Sequence, residues 1–541
     1  MKKKYAAIVI TSILACTIVA GCSGKKSNDS ATSQSQKSAT NDKDSDITIE
    51  IVAGDTVQLP PEGENFIEKG LSEAIGSKVK LTILGTGNDY DSALNVRLTS
   101  GEIPDLFMIP NKKGNGESVM TASVVKQYAD SNLIMSLNPY LDQLKPMFKV
   151  TGEPRETDKY KDNAYLIPTI GSKGYSKEEI AKKPELKFQK KGFRTYGYLG
   201  IMYRNDWLEK VGSTIPKTSD EFINVCEKFT NDDPDGNGKK DTYGLSGKGL
   251  AAFNPILNAY GASANSDIIV EDGKVTSTLE SKHMTEALEM CKKLVDTGAV
   301  DPDLLSNTAS TVDDKAIQGF NGITVGSYAG IMRKSTQDEI HSVNKNADWK
   351  LMDSLSGPSG KQFGNMDLTE SGGKTVIGKN VEKDKAKLQK IFDLLNYLAS
   401  VEGQRLVCYG EEGVHYNLED GKITPTDKMA SETNFTYVYQ LIGRDDEQYL
   451  ITKFPEWNEI IPFSAKIPRF TVYNNGVEAP EGFYLEDFNK YVNEELTKFI
   501  YGKRPISEYK DFLSELDKTF GYQEYMKSAA EQLKEKGFID K

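Results

Sequence analysis

Residues 89–109 read DYDSALNVRLTSGEIPDLFMI, and the change of pattern inside this stretch decides the fold. Ala93, Val96 and Leu98 prepare a helix, Gly101 stops it, and Pro104 keeps its predecessor out of the helical region, so that Asp105-Leu106-Phe107 enters a buried strand over 106–109. Upstream, residues 47–54 (ITIEIVAG) alternate apolar and polar as a strand does. A helix-like run follows near 65–75, and 78–85 (KVKLTILG) alternates again. Strand, helix, strand, helix, strand predicts an α/β lobe with a parallel sheet and helical crossovers.

The same alternation returns further on. GYLGIMYR (197–204) and GITVGSYAG (322–330) read as strands, SDEFINVCEKF (219–229) as a capped helix, and HMTEALEMCKKLVDTG (283–298) as a helix stopped by Gly298, which predicts a second α/β lobe. In TIPKTSDEF, Thr218 or Ser219 can cap the helix while Asp220 and Glu221 favour its positive end. The tail from Phe483 reads as two amphipathic helices.

The chain opens with MKKKYAAIVITSILACTIVAGC, a basic head (Lys2, Lys3, Lys4), a short apolar run, and Val19-Ala20-Gly21-Cys22. This is the layout of an export signal, too short for a comfortable spanning helix. Val-Ala-Gly-Cys resembles the bacterial lipobox, in which Cys22 receives a diacylglycerol and becomes the first mature residue, so a cell-membrane lipid anchor on the extracellular face is expected. Residues 23–46 carry no aromatic side chain and almost no aliphatic one, and a flexible leash is expected there. No later stretch is long and apolar enough for a membrane-spanning helix.

The chain carries 67 Lys and Arg against 79 Asp and Glu, a formal charge of −12, and loses three lysines with the leader. Nucleic acid, which demands a basic face, is excluded as a partner. Cys226, Cys291 and Cys408 are odd in number and widely spaced, so no disulfide framework is implied and buried structural thiols are expected. His283, His341 and His415 lie in no nucleophile or metal motif and read as surface or packing residues. No nucleophile elbow, HExxH or phosphate loop is present.

Residues 233–241, DPDGNGKKD, set oxygen side chains at positions 1, 3, 5 and 9 (Asp233, Asp235, Asn237, Asp241). Gly238 at position 6 permits a sharp turn and Lys239 can offer its backbone carbonyl at position 7, as calcium loops do. Position 12 is Gly244, where an EF-hand has a bidentate Glu, so this is not an EF-hand. A metal-free Asn/Gly-rich turn has the same composition.

Six segments, in order, carry a resemblance: LTSGEIPDLF (98–107), YLIP (165–168), IMYRNDWLEKVGSTIPKTSDEF (201–222), DPDGNGKKDTYG (233–244), GEEGVHYNLEDGK (410–422) and FIYGKRPISEYKDFLSELDKTFG (499–521). Together, behind a lipobox and a leash, they resemble the family 1 extracellular solute-binding lipoproteins of bacterial carbohydrate ABC transporters, of LplA/LipO type. The resemblance implies a two-lobed, periplasmic-binding-protein-like α/β fold (type II) with a ligand cleft between the lobes. It divides the chain into signal (1–21), leash (22–46), an N-terminal lobe (47–167 and 372–411) and a C-terminal lobe (168–371 and 412–541). Hinge crossings are expected near 165–170, 368–374 and 411–416. The implied function is capture of an oligosaccharide outside the membrane by a monomer and delivery to the permease subunits, with a structural calcium and no catalytic cofactor.

A sugar binder needs aromatic faces for C–H surfaces and planar polar groups for hydroxyl pairs. By their place in the family's pattern, Asp89, Tyr90, Asn111, Tyr196, Tyr328 and Glu370 are the expected ligand contacts, with Tyr328 as a stacking wall, while Trp207 anchors its helix. The rival reading is a surface polysaccharide-degrading enzyme, a glycoside hydrolase or lyase, which needs two carboxylates at fixed separation. Acidic pairs such as Glu411-Glu412 are abundant, but adjacent acids on a loop are usually only solvated.

Overall fold

The computed structural model describes residues 47–110, 121–155, 158–172, 182, 198–369 and 373–539. The first sheet begins with β1 (Thr48–Ala53), β2 (Lys78–Ile83) and β3 (Leu106–Met108), and β1 pairs in parallel with both of the others. Helix α1 (Phe66–Ile75) joins β1 to β2, and α2 (Asn88–Ser100) joins β2 to β3. Because consecutive side chains of β1 point to opposite faces, Ile49 and Ile51 meet Ile67 and Leu71 of α1 on one side, while Val52 meets Tyr90, Leu94 and Phe107 on the other. Asn65 caps α1 by accepting from the N–H groups of Ile67 and Glu68. Gly101 ends α2 with φ near 85°. The buried face of α2 is Tyr90, Leu94 and Leu98, spaced by four, so Val96, expected on the apolar face, points to solvent.

Asp105, at the mouth of β3, is buried and does structural work. Its carboxylate accepts from the Glu50 N–H at 2.9 Å and pairs with Lys387 at 3.0 Å, tying β3 to β1 and to a helix almost three hundred residues further on.

The second sheet holds β4 (Leu199–Arg204), β5 (Tyr243–Gly247), β6 (Asn321–Ser327) and β7 (Trp349–Met352) in the order β7-β4-β6-β5. It is mixed: β6 runs parallel to β5 and antiparallel to β4, which pairs antiparallel with β7. Helix α3 (Ser219–Asn231), capped by Thr218, and α4 (Met284–Asp296) pack their buried faces into this second core; α5 (Ala309–Gln318) leads into β6. Residues 328–331 leave the strand as one helical turn.

The chain then returns to the first sheet, where β8 (Thr375–Ile377) pairs antiparallel with β3. Helices α6 (Lys385–Leu398) and α7 (Val401–Tyr409) follow. The expected return to the second lobe at 411–416 does not occur there. Tyr416, Phe435, Tyr439 and α8 (Asp446–Lys453) pack into the first core, and Tyr439 takes the Asn65 amide at 2.6 Å while its own hydroxyl lies 3.2 Å from Glu68. Only from Ile467 onward do side chains join the second core. Three terminal helices rather than two complete it: α9 (Leu485–Ile500), α10 (Tyr509–Phe520) and α11 (Tyr522–Glu535).

The connections between the lobes run side by side. The Ile167 N–H donates to the Thr375 carbonyl at 3.0 Å and the Ile170 N–H to Ile442 at 2.8 Å. At Gly373 the backbones approach so closely that a Cβ would stand 2.0 Å from the Ile167 carbonyl oxygen, which only glycine tolerates. Among the described residues no helix is long and apolar enough to cross a membrane.

Candidate functional site

In an open α/β sheet, ligands meet the carboxyl ends of the strands, in the crevice that opens outside them where the connections diverge. For β1 and β2 that edge is Asp55 and Gly85, which bridge to each other. The Asp55 carboxylate accepts from the Thr56 and Val57 N–H groups and from the Tyr437 hydroxyl at 2.8 Å, so one face of the strand end is built by a residue nearly four hundred positions away. Tyr437 is 39% exposed. Its surroundings include Tyr449, over whose ring the Arg444 guanidinium lies at 3.7 Å. Tyr198, just before β4 of the second lobe, is close enough to Arg444 and Tyr449 to affect the ionisation of both. Aromatic rings and planar polar groups from both lobes thus converge where the crossings lie, beside Gly443 and Thr169.

The expected ligand contacts divide. Asp89 is exposed on the first turn of α2, next to Gly85 at the strand edge. Tyr90 is a correction: it is 4% exposed in the core between β1 and α2, its ring lies where a Cβ on Gly54 would fall, and its hydroxyl donates to the Met108 carbonyl. Tyr328 is a second correction. It is fully buried, and its ring meets Trp457 edge-on at 5.6 Å and Tyr198 at 6.0 Å. Trp457 lies in the return segment, stacked on Phe454 and donating its Nε1–H to the Met332 carbonyl. Tyr328 therefore sits behind the wall, not in it. Asn111, Tyr196 and Glu370, and the lipidation residue Cys22, lie outside the described residues. Asp55, Tyr437, Arg444 and Tyr449 escaped the sequence reading, since no local pattern ties them to the strand edge.

The Asp-rich loop folds tightly on itself. Asp233 accepts from the N–H groups of Gly236, Asn237 and Gly238, each at 3.1 Å, with Gly236 and Gly238 at positive φ. The Asn237 amide nitrogen lies 2.6 Å from Asp235 and 3.2 and 3.3 Å from the two Asp241 oxygens, drawing the carboxylates toward one centre. Burial and the charges of Asp241 and Asp233 push the Asp235 carboxyl up, a cost that a cation relieves. Hard oxygen donors suit calcium. Among the described residues, however, no three His, Cys, Asp or Glu side chains are gathered closely enough to hold a metal ion without rearrangement. Gly244 explains the missing twelfth ligand: a Cβ there would fall 2.2 Å from the Cys226 carbonyl oxygen, because β5 packs directly on α3.

Cys226, Cys291 and Cys408 are free and buried, and burial pushes all three thiols up, Cys408 to about 12. None has the lowered pKa of a nucleophile. His415 is buried against the Phe66 ring and its Nδ1 accepts from the Glu411 N–H.

Two α/β lobes joined by several adjacent crossings, with a polar and aromatic junction between them, are the architecture of a two-lobed substrate-binding protein. Residues 64–405 match the bacterial extracellular solute-binding protein family, and the chain belongs to it. It is 27% identical over 435 residues to lipoprotein LipO of Bacillus subtilis (strain 168), covering 79% of this chain and 76% of that one. It is 24% identical over 522 residues to the polygalacturonan/rhamnogalacturonan-binding protein YtcQ of the same organism, covering 94% and 95%. Among solved structures, the substrate-binding protein FusA of Streptococcus pneumoniae in complex with kestose superposes with a TM-score of 0.67 at 18% identity, covering 90% of this chain and 99% of FusA.

Proposed function

We propose that this protein is the substrate-binding lipoprotein of an ABC importer, which captures an oligosaccharide outside the membrane and presents it to the permease. The observation that carries the reading is the junction itself: exposed Tyr437 stands at the carboxyl end of β1, and half-buried Arg444 and Tyr198 gather around the neighbouring Tyr449, so that both lobes contribute. Aromatic faces and planar charged groups are what pyranose C–H surfaces and hydroxyl pairs require. The relatives add support, since YtcQ is described as a polygalacturonan/rhamnogalacturonan-binding protein and FusA was solved with kestose. Binding across the junction stabilises a closed arrangement that a permease can distinguish from the open one.

Asp89 belongs to this reading as a ligand contact, with Asn111, Tyr196 and Glu370 as further candidates. Cys22 anchors the mature chain through its lipid, and residues 23–46 act as the leash. The loop from Asp233 to Asp241 holds a structural calcium, with Asp233, Asp235, Asn237, Asp241 and the Lys239 carbonyl as ligands and water completing the shell. The experiment is calorimetry of the purified protein against an oligosaccharide panel, with product analysis of the same mixtures. Stoichiometric binding without turnover is expected; release of shortened or unsaturated sugars would establish the enzyme reading instead.

A further inference from the structure

Three basic side chains, Arg333, Arg444 and Lys453, lie over the Phe454 and Tyr449 rings at the junction. Lys453, the last residue of α8, is only 8% exposed. Its ammonium donates to the Thr433 carbonyl at 2.8 Å and sits 5.3 Å from the centre of the Tyr449 ring, and among the described residues no carboxylate pairs with it. Two of the three N–H donors of this ammonium therefore have no acceptor among the described residues. The Arg444 guanidinium lies over the same Tyr449 ring at 3.7 Å, and its Nε donates to Asp446 at 2.7 Å. Arg333, which leads out of the helical turn carrying Tyr328, is exposed, lies 5.5 Å over the Phe454 ring, and has no ion-pair partner among the described residues. Both arginines are near enough to Lys453 to disfavour its charge. Against these three cations stand Asp446, already engaged by Arg444, Asp445, which caps α8 through the Gln448 N–H, and Asp313, which faces Arg333.

A nearly buried ammonium without a counter-ion, flanked by two further cations, costs the protein stability unless something pays for it on binding. The missing partner is an anion, and the site's position fixes where it comes from. The three cations sit on the two sides of the lobe junction, Arg333 on the second lobe and Arg444 and Lys453 on the segment packed on the first, with aromatic rings between them. A free inorganic ion has no use for those rings, whereas a sugar ring bearing a carboxylate uses both. We infer that Arg333, Arg444 and Lys453 form a carboxylate-binding subsite, so that the captured oligosaccharide is an acidic one built from uronic acid units. This rests on the oligosaccharide reading and narrows it. Closure then acquires an electrostatic component, because one carboxylate can bridge cations held by different lobes.

The test uses the full mature chain and glycan pairs differing only in charge: trigalacturonate and an oligomannuronate, each beside its carboxyl-reduced neutral form, with neutral fructo- and gluco-oligosaccharides in the same calorimetric panel. An acidic member should bind more tightly than its reduced form by about tenfold or more, the preference shrinking as salt is raised. Arg333→Gln, at an exposed position, should erase most of that preference without moving the melting temperature, and Lys453→Met should weaken it by a different residue in a protein that is no less stable than the wild type. Equal affinity for charged and reduced forms, or binding of neutral sugars alone, overturns the subsite and leaves the oligosaccharide reading standing. So does an undiminished preference in both variants. Failure of every glycan to bind a folded protein overturns the oligosaccharide reading itself.

Discussion

Replacing Lys453 with methionine should make the protein more stable at neutral pH, an unusual result for a polar residue that makes a good hydrogen bond. Burial and the charges of Arg444 and Arg333 push the Lys453 ammonium down from 10.5 to about 8, and only the nearby Cys408 opposes them. Below pH 8 both folded and unfolded chains hold the proton, and the folded state carries the whole penalty, about 3 kcal/mol for a displacement of this size. Between 8 and 10.5 the unfolded chain still holds a proton that the folded one has released, so wild-type stability rises with pH across that window and the penalty is gone above it. Against this gain stands one lost hydrogen bond, worth about 1 kcal/mol. The Thr433 carbonyl is not orphaned by the change, because it also accepts from the Thr436 N–H at 3.3 Å and the Thr436 hydroxyl at 3.1 Å. Methionine matches the stem in length and suits the aromatic surroundings. The net expectation is a gain of about 2 kcal/mol at pH 7, shrinking steadily toward pH 10. Urea denaturation of both proteins at pH 7, 8, 9 and 9.5, with no ligand present, measures it. A variant that is less stable at pH 7, or a difference that does not change with pH, would refute the argument that an unpaired ammonium is stored there.

The remaining expectations are more direct. Tyr328→Ala should cost about 3–5 kcal/mol of stability, as large aromatic truncations in a core do, and denaturation curves read it; unchanged stability with weakened ligand binding would return Tyr328 to the cleft. A calcium ion bound only by the folded state adds about 2.7 kcal/mol at a hundredfold excess over its dissociation constant, so chelation should lower the melting temperature and Asp235→Ala should abolish most of that response. Identical melting of metal-loaded and chelated protein would count against the ion. Cys22→Ala should remove the lipid and shift the protein from membrane to medium or leave it unprocessed, as fractionation and mass of the product will tell; a processed variant of ordinary size in the membrane fraction contradicts the lipobox.

The first lobe was legible because its elements are specified over short distances. Gly101 stops α2 and the strand at Leu106 follows, Asn65 and Thr218 cap their helices, and the alternation of 47–54 and 78–85 survives as β1 and β2 in parallel register. Even so, periodicity told only that α2 had an apolar face and chose one wrong member: Val96 lies 67% exposed, because the four-residue spacing of Tyr90, Leu94 and Leu98 already fills the groove above β1. The third tail helix escaped because Gly521 both ends α10 and begins α11, leaving no linker to announce a new element.

The junction was not legible for a different reason, and Tyr328 shows it. As the residue after a buried strand it has the sequence context of a cleft aromatic, and nothing within twenty positions contradicts that role. What buries it is Trp457, carried by the segment from Phe435 to Ile461, which packs in the first core in single turns and short helices too brief for any period to register. The same segment delivers Tyr437 to Asp55 and sets Arg444 and Lys453 beside Tyr449. One aperiodic stretch therefore removes an expected ligand contact and supplies three unexpected groups. This division follows from what each part must do. The sheets repeat because repetition is how a core is built, while a site that selects one ligand gathers residues whose only relation is their meeting point, and that meeting point is a property of the folded chain.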